Sequence, residues 1–115
     1  MTVIPRVLGM NERAHGQLDL LLLAVLATGP AHGYGVIVAL RQRSAGEFDL
    51  PEGTVYPALH RLERTGLLTS AWADASGRRR REYQITVPGQ AALAARRQEW
   101  YGFANAVRSV VGWAT

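Results

Sequence analysis

A chain of 115 residues, 48% of them apolar, has the size and composition of one folded domain rather than a disordered tail. It contains no cysteine, which excludes disulfide frameworks and cysteine-ligated zinc sites and fits a reducing cytoplasm. All 13 basic residues are arginine, set against 9 acids for a net charge of +4, so a polyanion partner and a GC-rich codon bias are both open on composition alone.

Residues 1–15 form an amino-terminal extension without the charged start, apolar middle and small-residue cleavage site of a signal peptide. The longest unbroken apolar run, Leu20 to Ala27, is well short of the ~20 residues that a membrane span requires, so no membrane partner is expected. It lies within LDLLLLAVLA, Leu18 to Ala27, a helix apolar on nearly all sides that stops at Thr28, Gly29 and Pro30. Such a helix is covered on more than one side.

A second helix is expected in HGYGVIVALRQR, with Val36, Ile37 and Leu40 at helical spacing and a polar turn from Ser44 to Pro51 after it. The third is written GTVYPALHRLERTG, where Val55, Leu59 and Leu62 recur at i, i+4 and i+7 and Gly66 closes the helix. A start near Gly53 or Thr54 would put Pro57 in the first turn, where a missing N–H costs little. At 100° per residue, Gly53, Pro57, His60 and Arg64 then lie opposite the apolar stripe, with Tyr56 and Arg61 on its flanks. That outer face offers donors, cations and a flat aromatic near a helix N-terminus, where phosphate is favoured.

After Gly66, two extended runs, Leu68 to Ala73 and Glu82 to Thr86, flank a tip containing Ser76, Gly77 and Arg78 to Arg81. They read as a β-hairpin, with Trp72, Tyr83 and Ile85 as strand-favouring residues. Four adjacent arginines repel one another, and a charged finger against a phosphate backbone explains them better than a solvated loop. A helix pair, a helix with a polar outer face and a basic hairpin together make a winged helix-turn-helix. The fold class is thus mainly α with a small β-hairpin, over residues 1–87.

The last unit, from about Pro88 to Gly112, is a helix ~36 Å long. Leu93, Arg97, Trp100, Phe103, Ala104, Val107, Val110 and Val111 share one broad face, more than the small body could cover. With the apolar first helix, including Leu20 and Leu23, this face argues for a two-fold dimer built on residues 88–115.

No constellation points to catalysis. His15, His32 and His60 are too scattered for a metal site, and Asp19, Glu47, Asp49 and Glu63 form no evident pair across a cleft. Gly33 and Gly35 lack the preceding strand and third glycine of a dinucleotide loop. With no nucleophile beside a base, neither an enzyme nor a cofactor is expected.

The stretches LDLLLLAVLATGPAHGYGVIVAL, LPEGTVYPALHRLERTGLLTS and GRRRREYQITVPGQAAL resemble, in order and spacing, the PadR family of bacterial transcriptional regulators. The likeness covers about Gly16 to Leu93. It implies a winged helix-turn-helix followed by a dimerising carboxy-terminal helix, usually in a repressor released by a small molecule. The length matches the short subfamily with a single such helix. Carried onto this chain, the resemblance implies that Tyr34 and Gly35 lie near DNA and that Thr54, Tyr56, Pro57, His60 and Arg64 sit on the recognition helix. An alternative for Tyr34 is packing of its ring beneath the wing with its hydroxyl exposed. Trp100 is either interface packing or, as the resemblance to short PadR-like proteins suggests, one wall, opposite its dyad mate, of a slot between the subunits for a planar aromatic effector.

The expectation is a homodimeric regulator of double-stranded DNA with an inverted-repeat operator. Two rivals stand beside it. One is a winged helix that binds another protein without reading DNA; the other is an RNA binder, disfavoured because A-form RNA closes the groove that a recognition helix enters.

Overall fold

The computed structural model describes residues 16–75 and 77–112; the amino-terminal extension with His15, the turn residue Ser76, and Trp113 lie outside the described residues. Helix α1 is seen over 16–26. It is followed by β1 (Ala31–His32), α2 (Gly33–Arg43), α3 (Glu52–Arg64), β2 (Leu68–Ala75), β3 (Arg78–Ile85) and α4 (Val87–Val111).

The core is where the apolar stripes of the first three helices meet. Leu22, Leu23 and Leu26 come from α1, Val36, Ile37 and Leu40 from α2, and Val55, Ala58, Leu59 and Leu62 from α3, all buried. The i, i+3, i+4 spacing within each helix makes this possible, and each buried leucine contributes about 1.5–3 kcal/mol. Leu68, Tyr83 and Leu93 close the cluster from the sheet and from α4.

The chain leaves α3 through a glycine turn. Gly66 has φ +84°, and the Leu67 amide reaches back 3.0 Å to the Leu62 carbonyl, which satisfies one of the last free acceptors of the helix. Thr86 then caps α4: its hydroxyl accepts from the Gly89 amide at 3.0 Å and donates to the Gly66 carbonyl at 2.7 Å. Gly89 is required there because a Cβ would stand 2.1 Å from the Leu67 carbonyl oxygen. The start of α4 is therefore locked onto the turn after α3.

The sheet has three strands in the order β1-β3-β2, all antiparallel. β2 and β3 pair from Leu68 opposite Ile85 to Ala75 opposite Arg78. The four arginines expected at a hairpin tip lie instead within β3, where their backbones pair with Trp72 to Ala75. β1, only two residues long, pairs Ala31 with Tyr83 and His32 with Glu82, so a strand does precede Gly33, against the expectation, while the third glycine of a dinucleotide loop is still missing, Val38 standing in its place.

Two further expectations change. Helix α3 begins at Glu52, so Pro57 falls in the second turn rather than the first. The bond it cannot make belongs to the Gly53 carbonyl, and both residues are exposed, so the gap in the ladder faces solvent. In α4, Gly89 and Leu93 are buried, whereas Trp100, Phe103 and Val107 are each about 40% exposed and Val110 and Val111 more so. Leu23 and Leu93, expected on a dimer face, are instead covered by the core of their own chain, being 0% and 3% exposed.

Candidate nucleic-acid interface

Helix α3 and the β2–β3 ribbon form the two banks of a groove of about 620 Å³. On the helix bank stand Glu52, Tyr56 and His60; on the ribbon bank stand Trp72 and Arg78 to Arg81; His32, Gly33 and Tyr34 form the floor at the start of α2. Local structure explains each placement. His32 caps α2, its Nδ1 accepting from the Gly35 amide at 3.1 Å. Gly33 has no side chain because the Tyr56 ring occupies its place: a Cβ there would lie 2.2 Å from the ring. Tyr56 is thus wedged between α3 and α2. Burial is the main cause that raises its pKa above the ordinary 10.0, with Glu52 adding to it and Arg80 opposing. The phenol therefore stays protonated at neutral pH and can donate a hydrogen bond.

The four arginines are not equivalent. Arg79 and Arg81 alternate with Arg80 along β3, and their guanidinium carbons lie 5.2 and 5.3 Å from the centre of the Trp72 ring, within cation–π range. Arg81 is tied further: its Nε donates to the Ser70 hydroxyl at 2.8 Å, and that hydroxyl donates to Glu63 at 2.6 Å. This chain fixes the ribbon against α3. Arg80 approaches His32, with Nη1 2.9 Å from Nε2. This contact ties Arg80 to the start of α2 and leaves the other N–H groups of its guanidinium to donate to a phosphate oxygen at the groove.

Most of the expected DNA-facing residues meet in this groove: Tyr34, Tyr56, His60 and Arg78 to Arg81 line it. Tyr34 is 51% exposed. Pro57 and Arg64 are exposed on α3, and Gly35 lies in the first turn of α2 under the His32 ring. Two depart. Arg61 is turned inward, where its Nη2 donates to Asp19 of α1, so it does not join the outer face. Thr54 is exposed but lines a second, apolar groove of about 480 Å³ with Leu18, Leu20, Leu21, Phe48, Leu50 and Trp100.

Three residues gain roles that the linear pattern did not assign: Asp19, His32 and Trp72. A lone acid inside LDLLLL was a signal, since a buried carboxylate must find cations. For His32 and Trp72 only the strand register reveals the partners.

A helix with an exposed polar face beside an arginine-rich two-stranded ribbon, both resting on a three-helix core, defines a winged helix-turn-helix DNA-binding protein. The model of the transcriptional regulator PadR-like family matches residues 22–95, and the chain belongs to that family. It is 37% identical over 84 residues to the transcriptional regulator Rv3488 of Mycobacterium tuberculosis, covering 73% of this chain and 76% of that protein. Among solved structures, a PadR family transcription regulator from Clostridium difficile is 33% identical with a TM-score of 0.72, over 83% of this chain and 98% of that one. A transcriptional regulator from Clostridium thermocellum is 26% identical with a TM-score of 0.77, over 85% and 96% respectively. The protein is a transcriptional regulator rather than an enzyme. None of the described helices is long and apolar enough to cross a membrane.

Proposed function

We propose that two copies of this chain form a cytoplasmic repressor that binds an inverted-repeat operator and is released by a planar aromatic small molecule. The observation that carries the reading is the shared groove, in which Tyr56 and His60 of α3 face four arginines of β3. In this arrangement the outer face of α3, with Thr54 at its edge and Tyr56, Pro57, His60 and Arg64 along it, enters the major groove. The ribbon arginines and the start of α2 hold the flanking phosphates.

Dimerisation is supported by the exposed apolar half of α4. Trp100, Phe103, Ala104, Val107 and Val111, with Arg97 beside them and Leu20 at the edge of α1, form the proposed contact surface. An exposed row of this kind marks an association surface. Residues 88–115 then act as the dimerisation element and residues 1–87 as the DNA-binding unit. The effector reading is supported by the apolar groove, of which Trp100 is one wall and Leu20 another. Ligand there would alter the pose of α4, and coupling to DNA would follow because the two equilibria are reciprocal.

The test is binding to mixed double-stranded genomic DNA over a range of salt, with double-stranded RNA as competitor. A steep fall in affinity with salt and no competition by RNA is the expected result. Absence of DNA binding would favour the alternative, a winged helix that docks on another protein.

A further inference from the structure

We infer that Asp19 is a positioning residue that fixes the recognition helix relative to the carboxy-terminal helix and so sets the half-site spacing that the dimer accepts. The inference rests on the dimeric reading above. Among the described residues Asp19 is the buried charged group of the core, 8% exposed on α1. Its two oxygens serve two different helices: Oδ1 accepts from Arg61 of α3, and Oδ2 lies 3.8 Å from Nη2 of Arg96 of α4. Neither arginine lines the groove between α3 and the ribbon.

A carboxylate withdrawn from water is stable only while cations and hydrogen bonds hold it. Arg61 supplies the hydrogen bond, and Arg96 adds a second cation from the other helix. Arg96 is similarly committed. Its Nε is buried without a hydrogen-bond partner among the described residues, and Nη1 lies 3.7 Å from where a Cβ on Gly16 would stand, so the guanidinium rests against the start of α1.

The position along α4 gives the junction its leverage. Leu93 is buried in the core, Arg96 follows one turn later, and Trp100 one turn after that is 41% exposed. The ion pair therefore sits where α4 leaves the body. Leu93 fixes how near α4 lies to the body, and the carboxylate adds a hydrogen bond to α3 and a charge attraction to α4 one turn beyond that leucine, a second point of attachment that limits how far α4 can swing about the first. From Arg96 to Val111 the helix runs on for about 22 Å, so a small change of angle at the junction becomes a large displacement at the far end. If the α4 helices pair, that angle sets the separation of the two α3 helices.

The experiment selects duplexes from a random pool with the wild-type protein, then lengthens and shortens the spacer of the preferred inverted repeat by one and two base pairs. Each inserted pair moves a half-site by about 3.4 Å and rotates it around the duplex. Wild-type protein should lose about tenfold or more in affinity, whereas Arg96→Gln and Asp19→Asn should discriminate by less than about threefold, with an unchanged salt slope. General loss of folded protein would weaken every duplex alike and leave that ratio intact. Should Asp19→Asn fail to fold, Arg96→Gln carries the test, since it spares the Arg61–Asp19 pair. Discrimination by the variants equal to that of the wild type would overturn the role of Asp19 and leave the dimeric reading standing. A wild type that ignores spacing, or selects single half-sites, would overturn the dimeric reading and the inference together.

Discussion

At Gly33 the backbone of α2 runs so close to Tyr56 that a methyl group would overlap the ring, 2.2 Å from its nearest carbon. Gly33→Ala should therefore push the phenol out of its wedge, costing about 1–3 kcal/mol by overpacking. Chemical denaturation would show the loss, and Tyr56→Ala in the same chain should recover part of it; a variant as stable as the wild type would contradict the wedge. The half-buried phenol of Tyr56 and the buried phenol of Tyr83 tie stability to alkaline pH. Burial is the leading cause raising the pKa values of Tyr56 and Tyr83 above 10.0, and the neighbouring acids Glu52 and Glu63 add to it respectively. A phenol whose pKa is raised in the fold ionises first in the unfolded chain. The stability it contributes is complete below about pH 10 and is lost as pH rises through the raised values. Denaturation midpoints should accordingly fall between about pH 9 and pH 12, and fall less in Tyr83→Phe. Identical alkaline losses in the variant and the wild type would remove Tyr83 from that explanation.

At the scale of elements, the proposed function has the ribbon and the recognition helix divide the work of binding. Arg78 to Arg81 replaced by alanine should weaken binding to all DNA sequences to a similar degree and flatten the dependence on salt, because phosphate contacts hold without specifying. An unchanged slope would contradict the assignment. Much of this division was legible in the linear pattern. The outer face of α3 followed from Val55, Leu59 and Leu62 as the inner one, and the hairpin followed from strand-favouring residues on either side of a glycine turn. What could not be read depends on distant partners. Arg61 meets Asp19 across 42 positions and Arg80 meets His32 across 48, so no local spacing announces either contact. The arginines read as part of the tip, yet all four pair through their backbones in β3, and Arg79 and Arg81 stack on Trp72. β1 is too short to show a period. Leu23 and Leu93 were placed on a partner-facing surface because an apolar stripe says that something covers it, not what.

For the whole molecule, the feature to be explained is α4, whose first turns are fixed by Thr86, Gly89 and Leu93 and whose remainder carries exposed Trp100, Phe103 and valines. If Trp100 walls an effector site, a chain carrying Trp72→Phe and Trp113→Phe should show saturable quenching of Trp100 by planar aromatic compounds, accompanied by weaker DNA binding. A dimer that falls apart on Trp100→Ala, with no quenching by any compound tried, would leave Trp100 as interface packing. Both readings place two recognition helices on one face of the duplex, about one helical turn or ~34 Å apart. The most direct measurement is a hydroxyl-radical footprint on a selected duplex, combined with the number of chains bound per duplex. The account requires two chains and two protected patches related by a dyad, centred about one turn apart, with protection at the flanks lost when Arg78 to Arg81 are replaced by alanine. One chain per duplex with a single protected patch would contradict it.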